Sequence, residues 1–135
     1  MQPYIILPHT ADLRIKVFGS TKEELFSNAM LGMFEAVEPV YSKDAPLISR
    51  SVETSAKDIN ALLIDFLNEV LYFCDTNDEA YNRVDIKRLS DTEIEAIIFG
   101  RKITGFKEEI KAVTYHGVHL KQVNEIWEVE IIFDV

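Results

Sequence analysis

Cysteine, glycine and basic residues are all scarce in this chain of 135 residues. The single cysteine, Cys74, excludes an internal disulfide and a cysteine-rich metal site, and it predicts a protein of the reducing cytoplasm. The five glycines form neither a phosphate-binding loop nor a G-x-S-x-G nucleophile turn. No apolar run approaches the roughly 20 residues of a membrane span. These absences exclude the commonest nucleotide-binding and serine-hydrolase motifs, and no membrane contact is expected.

Positive charge is also in short supply. Lysine and arginine number 14 against 23 aspartates and glutamates, which gives a formal net charge of −9. An acidic surface repels phosphate backbones, so direct binding of nucleic acid is not expected. Between Ile59 and Asn82 there is no lysine or arginine, and after Lys121 every charged residue is acidic. We therefore predict a negative field near the end of the second helix and the final hairpin, which would steer a basic protein partner.

Apolar residues make up 47% of the sequence, which predicts one globular domain over residues 1–135. Periodicity near 3.6 predicts helices over 20–38 and 57–74, the first opened by a capping box from Ser20 to Glu23. Other segments read as strands or loops: strands at 4–7, 13–18, 83–89, 93–101, 110–123 and 126–134, an edge strand at 48–54, and a loop at 102–109. The fold class predicted is a two-layer α+β sandwich, with both helices on one face of a largely antiparallel or mixed sheet.

Few side chains are arranged for catalysis. Cys74 ends an apolar helical stretch, where an activated thiolate is disfavoured. His116 and His119 fall within the predicted strand 110–123, where residues three apart point to opposite faces and do not chelate one ion. No nucleophile–base pair is visible, which disfavours an independent hydrolase.

Two carboxylates and a chain terminus form a candidate metal site. Asp12 stands at the entry to strand 13–18, while Asp134 and Val135 follow a pattern that stays apolar up to Phe133. If the last strand runs antiparallel to 13–18, its docked end lies beside Asp12. Three oxygen groups would then converge, and hard cations such as Ca²⁺ and Mg²⁺ prefer such ligands. The alternative is an Asx-type turn at Asp12 and a frayed, solvated tail.

Four stretches, spread in order over nearly the whole chain, resemble motifs of the archease family. They are H-T-A-D at 9–12, L-L-I-D-F-L-N-E at 62–69 followed by D-T at 75–76, I-K-A-V-T-Y-H at 110–116, and I-I-F-D-V at 131–135. The resemblance implies an activator and not an enzyme. Archease assists the RtcB-type RNA ligase of tRNA splicing and RNA repair. That ligase is guanylylated on a histidine with GTP and divalent metal before it joins RNA ends. Archease accelerates this guanylylation and sustains turnover.

The family's functional residues fall on four positions of this sequence. The resemblance implies that Asp12, Asp134 and Val135 bind one divalent cofactor, Ca²⁺, Mg²⁺ or Mn²⁺, and that Lys111 serves ligase activation. Without the resemblance, Lys111 would be interpreted as a solvated strand lysine. The partner implied is the ligase. The alternative function is a general chaperone or interaction module for RNA-modifying enzymes.

Overall fold

The computed structural model of the chain describes residues 2–7 and 12–135. The predicted motif positions His9, Thr10 and Ala11 lie outside the described residues. Within them the elements are, in chain order, β1 (Tyr4–Leu7), β2 (Leu13–Gly19), α1 (Lys22–Val37), β3 (Pro39–Tyr41), β4 (Ile48–Ser55), α2 (Ile59–Asn77), β5 (Glu79–Leu89), β6 (Glu93–Phe106), β7 (Ala112–Val113), β8 (Lys121–Val123) and β9 (Ile126–Asp134). In these ranges no helix combines the length and apolar character that crossing a bilayer requires.

The first sheet is built around β9, the last strand. Its order is β1-β2-β9-β7, with β8 also paired to β9, and every pairing is antiparallel. Burial alternates along β9, because Val129, Ile131 and Phe133 are all buried while Glu130 and Asp134 are exposed. The antiparallel pairing with β2 that the candidate site requires is also confirmed, with Leu13 opposite Phe133.

The second sheet is built around the long strand β6. β4 and β3 pair along one side of it and β5 along the other, all antiparallel. Among the described residues β4 pairs with no other strand, which confirms the predicted edge strand. The loop predicted for 102–109 is wrong as far as Phe106, because Lys102 pairs with Glu79 and Ile103 with Tyr41. Tertiary pairing here outweighs the local turn signal of Gly105.

The two helices contact both sheets, and their boundaries differ slightly from those predicted. The N-cap of α1 is Thr21 and not Ser20, because the Thr21 Oγ1 accepts from the Glu24 N–H over 3.0 Å. The Glu24 carboxylate accepts in turn from the Ser20 N–H and hydroxyl, so the predicted pairing of Ser20 with Glu23 is wrong. Helix α2 is capped by Asp58, and it continues past the predicted end at Cys74 to Asn77. It ends where Asp78 adopts a left-handed conformation with φ of 53°.

The α+β class, with two helices and antiparallel strands, is confirmed. The single sheet of the prediction is corrected, because the strands divide into two sheets, each in contact with both helices. The buried apolar side chains of both helices and both sheets belong to one hydrophobic cluster. The physical reason is the breadth of the helical apolar faces, which are wide enough to cover strands on two sides.

Candidate functional site

The predicted site residues meet at one corner of the first sheet, where β9 ends between β2 and β7. Leu13 pairs with Phe133 on one side, so Asp12 lies opposite Asp134 one step further along. Ala112 pairs with Asp134 on the other side, so Lys111 lies opposite Val135 in the same way. We call Asp12, Lys111, Asp134 and Val135 together the β9 corner. Chain segments remote in sequence supply it, because antiparallel register aligns their ends.

The end of β9 is docked, as predicted, and not frayed. The Lys111 N–H donates to the Asp134 carbonyl over 2.7 Å, and the Thr114 N–H donates to the Ile132 carbonyl over 3.0 Å. Val135 is half-buried and packs against the hydrophobic cluster. Lys111 directly precedes β7 and does not lie within a strand, which corrects its predicted setting. The backbone of the corner is therefore held in place while its polar groups stay accessible.

The two carboxylates of the corner are open to solvent. Leu13 and Phe133 point into the core, and alternation directs the neighbouring Asp12 and Asp134 away from it. The Asp12 side chain is 38% exposed, and Asp134 is exposed. Carboxylates at opposite strand positions have Cβ atoms about 5 Å apart, a spacing that one cation can bridge. The donor set is wholly oxygen and so fits a hard divalent cation.

Arg14 is a member of this neighbourhood that the sequence reasoning missed. Its Nε donates to Asp12 Oδ1 over 3.1 Å, and its Nη1 lies 3.5 Å from Glu130 Oε1. The hydrogen bond that Arg14 donates to Asp12, and then the negative charge of Asp12, raise the pKa of the Arg14 guanidinium above its ordinary value. The signal was present in the sequence, because Asp12 and Arg14 are two apart at the start of an alternating strand. Arg14 offsets part of the negative charge that a cation would meet.

No group of three or more histidine, cysteine, aspartate or glutamate side chains is arranged to hold a metal ion within residues 2–7 and 12–135. The predicted ligand set contains two such side chains, Asp12 and Asp134. Its third donor, the carboxyl group of Val135, belongs to the main chain. The predicted site therefore depends on a main-chain group, and a metal site built from side chains alone has no support in the described residues.

The setting predicted for the two histidines is wrong. His116 falls in a turn and His119 in irregular chain between β7 and β8, and both are exposed. Strand alternation therefore does not describe their directions. The predicted inertness of Cys74 has structural support: the thiol is buried, and its pKa is raised to about 12, first by desolvation and then by nearby acids including Asp75. The thiol stays protonated near neutral pH.

Glu79, an acidic residue just after α2, does not contribute to the predicted negative field at the surface. Glu79 is only 1% exposed, and its carboxylate accepts two hydrogen bonds from Arg50, over 2.8 and 3.0 Å, and one from the Tyr81 hydroxyl over 2.6 Å. Desolvation would raise the pKa of Glu79, but the hydrogen bonds of Arg50 and Tyr81 outweigh it and hold that pKa below its ordinary value. Glu79 is thus a structural ion-pair partner. The acids that remain on the surface of this region include Asp75 and Asp78.

A cavity of about 600 Å³ opens over α1, apart from the β9 corner. Its lining combines aromatic and acidic side chains: Tyr4, Phe34, Tyr41 and Tyr81 with Glu35 and Glu38. None of the four corner residues lines it. This cavity therefore does not coincide with the predicted site residues, which lie on an open surface of the kind that suits a macromolecular partner.

Comparison with known proteins connects these observations to a family. Residues 4–135 match the family model described as "Archease protein family (MTH1598/TM1083)". The chain is 31% identical to Protein archease of Methanosarcina mazei over 140 residues, covering 98% of this chain and 95% of that protein. It is 34% identical to Protein archease of Pyrobaculum neutrophilum over 135 residues, covering 94% of this chain and 91% of that one.

Two solved structures share the fold. The solution structure of Methanobacterium thermoautotrophicum protein 1598 covers 100% of both chains with a TM-score of 0.74 and 26% identity. The crystal structure of an archease from Thermotoga maritima covers 96% of this chain and 94% of that one, with a TM-score of 0.71 and 24% identity. The arrangement of helices and sheets is therefore one that experimental structures also contain.

Proposed function

This chain belongs to the archease family, as its motifs predicted, and from that premise we propose that it is a metal-binding activator of an RtcB-type RNA ligase. Its role would be to promote guanylylation of the ligase and to keep the ligase turning over. The observation that carries the proposal is the β9 corner. There the strand register gathers two carboxylates, a main-chain carboxyl group and a lysine on an accessible surface.

The corner has the chemistry of a site for Ca²⁺, Mg²⁺ or Mn²⁺. Asp12, Asp134 and the Val135 carboxyl group would hold the ion through oxygen, and three negative groups disfavour ions that prefer thiolates. When bound, the cation would supply positive charge and open coordination positions to a group carried by the ligase. Arg14 holds Asp12 in place through Oδ1, and its positive charge would repel an ion that binds there.

Lys111 would serve the partner and not the fold. Its side chain is exposed, whereas its backbone is fixed by the 2.7 Å hydrogen bond to Asp134. An ammonium group held on a fixed backbone can meet a phosphate or a carboxylate of the ligase. The 23 acidic residues outnumber the 14 basic ones, and a negative surface is attracted to a basic, RNA-binding protein.

The test is RNA joining by the ligase of the same organism at substoichiometric concentration, with GTP and divalent metal. Addition of this protein is expected to let each ligase molecule join many RNA ends, whereas ligase alone stops after few turnovers. An equal amount of serum albumin controls for nonspecific protection of the ligase. Equal turnover with and without this protein would contradict the proposal.

A general chaperone is the second candidate, because the Thermotoga maritima archease is described as a possible chaperone. Several large apolar side chains of this chain are also exposed, among them Leu47 and Tyr72, at 56% and 59%. A general chaperone would suppress the thermal aggregation of unrelated proteins such as citrate synthase. A dedicated activator would not suppress this aggregation. Light scattering by heated citrate synthase, with and without this protein, therefore separates the two candidates.

A further inference from the structure

We propose that Asn68 of α2 is a positioning residue that holds β7, and through β7 holds Lys111, against the end of β9. The Asn68 Nδ2 donates to the Val113 carbonyl over 2.9 Å, and its Oδ1 accepts from the Val113 N–H over 2.9 Å. One side-chain amide thus satisfies both main-chain polar groups of a residue that is 2% exposed. In the sheet, a neighbouring strand would supply these two bonds.

The need for such a contact follows from the length of β7. The strand has two residues, Ala112 and Val113, and a pairing that short is not stable by itself. β9 holds it on one side through the bond from the Lys111 N–H to Asp134. Asn68 holds it on the other side, so β7 is clamped between the sheet and α2. Lys111 directly precedes Ala112 and Val113, so the contacts that fix these two residues also fix the backbone of Lys111.

Other side chains of α2 bond to the segment 114–120, which connects β7 to β8 and lies further along the chain from Lys111. Asn60 Oδ1 accepts from the Leu120 N–H over 2.7 Å, and the Tyr115 hydroxyl donates to Asp65. Asn60 therefore provides a matched control: it is the same residue type on the same helix, bonded to the chain that follows Lys111, but at a position remote from Lys111. Asn68 makes two backbone hydrogen bonds and Asn60 one, so the two variants are compared by where the chain loosens and not by how much stability is lost.

The first readout is amide hydrogen exchange, which does not depend on any ligase. Asn68→Ala is expected to accelerate exchange of both the Val113 and the Lys111 amide by about tenfold, because loss of net hydrogen-bond free energy opens the segment more often. Asn60→Ala is expected to accelerate exchange at Leu120 and to leave Lys111 as in the wild type. Unchanged Lys111 exchange in Asn68→Ala would overturn the inference.

A second variant covers the case in which Asn68→Ala does not fold. Asn68→Asp keeps an acceptor for the Val113 N–H but has no donor for the Val113 carbonyl. Faster Lys111 exchange in folded Asn68→Asp than in the wild type is expected. Wild-type exchange at Lys111 in that variant would also overturn the inference.

The second readout is ligase guanylylation, and this part rests on the proposed function of Lys111. Asn68→Ala is expected to lower stimulation several-fold, Asn60→Ala to leave it unchanged, and Asn68→Ala to add nothing when Lys111 is already alanine. A further loss from Asn68→Ala in the Lys111→Ala background would contradict action through Lys111. If Lys111→Ala itself stimulates like the wild type, the proposed function fails, while the exchange data still decide whether Asn68 positions the segment.

Discussion

The Arg14 guanidinium donates from Nε to Oδ1 of Asp12 over 3.1 Å, so the first carboxylate of the β9 corner already has a cationic partner. A divalent cation bound at Asp12 would be repelled by the charge of this partner. We therefore expect Arg14→Gln to bind Ca²⁺ or Mn²⁺ more tightly than the wild type, by about threefold to tenfold at low salt. Calorimetric titration measures this change.

Arg88→Gln is the control for this prediction, because Arg88 is likewise exposed but pairs with Glu93 and Glu95 on the second sheet. Its affinity for the cation should equal that of the wild type. An affinity that does not change in Arg14→Gln would mean that Asp12 is not a ligand.

Lys111→Ala should separate activation from folding. The side chain is exposed, so the free energy of unfolding should change by no more than about 0.5 kcal/mol. Guanylylation of the ligase should fall to near the rate of ligase alone. Thermal unfolding followed by circular dichroism and a guanylylation assay test the two parts, with Lys87→Ala on β5 as a matched exposed control. Full stimulation by the Lys111 variant would remove the role assigned to it.

A residue added after Val135 should weaken metal binding. Each residue of a strand extends the chain by about 3.3 Å, so the extension moves the carboxyl group by more than a Ca–O bond of about 2.4 Å. We expect a C-terminal glycine-serine extension to lower both cation affinity and ligase stimulation. The same extension at Met1 should change neither quantity. If the two extended proteins bind the cation equally well, the Val135 carboxyl group is not a ligand.

Glu79→Gln should destabilise the protein in a pH-dependent way. The folded-state pKa of Glu79 lies below its ordinary value of 4.5, so the ion pair with Arg50 stabilises the fold above that pH. This stabilisation is lost as the pH falls through the folded-state pKa. The difference in Tm between wild type and variant should therefore be large near neutral pH and should shrink as the pH falls below the ordinary value of 4.5.

Glu95→Gln is the control, because the Glu95 side chain is 40% exposed and lies 3.7 Å from Arg88. A surface pair of this kind contributes little to stability, so its Tm should stay close to that of the wild type. Thermal unfolding across the pH range tests both variants. A Tm difference for Glu79→Gln that is independent of pH would contradict the ion-pair account.

The local pattern of apolar residues predicted those helices and strands that bury one face, or nearly all of their surface, in the core. The alternation in β9 and the long apolar run of α2 came from the sequence because each is decided by which side chains face the core. The meeting of Asp12 and Asp134 followed from the same alternation and from the antiparallel sense of two strands. The meeting of these two carboxylates was therefore predictable once the strands were recognised, whereas Lys111 came from the family resemblance and its predicted strand setting was wrong.

The mispredicted segments have conformations that depend on contacts with residues distant in the sequence. The strand predicted for 110–123 is irregular over 114–120, where the Leu120 N–H donates to Asn60 of α2 and not to a neighbouring strand. Glu79 reads as a surface acid until Arg50, 29 positions away, is seen to pair with it. Neither partner can be identified from local pattern.

The most direct test of the account is the rate of guanylylation of the RtcB-type ligase, measured with radiolabelled GTP at one fixed concentration of Mn²⁺. The ligase is assayed alone, with wild-type protein, and with the Asp12→Ala/Asp134→Ala protein, whose folding is checked by circular dichroism. The account predicts acceleration by the wild type and a rate close to that of ligase alone with the double variant. Equal rates in all three reactions, or equal acceleration by both proteins, would contradict it.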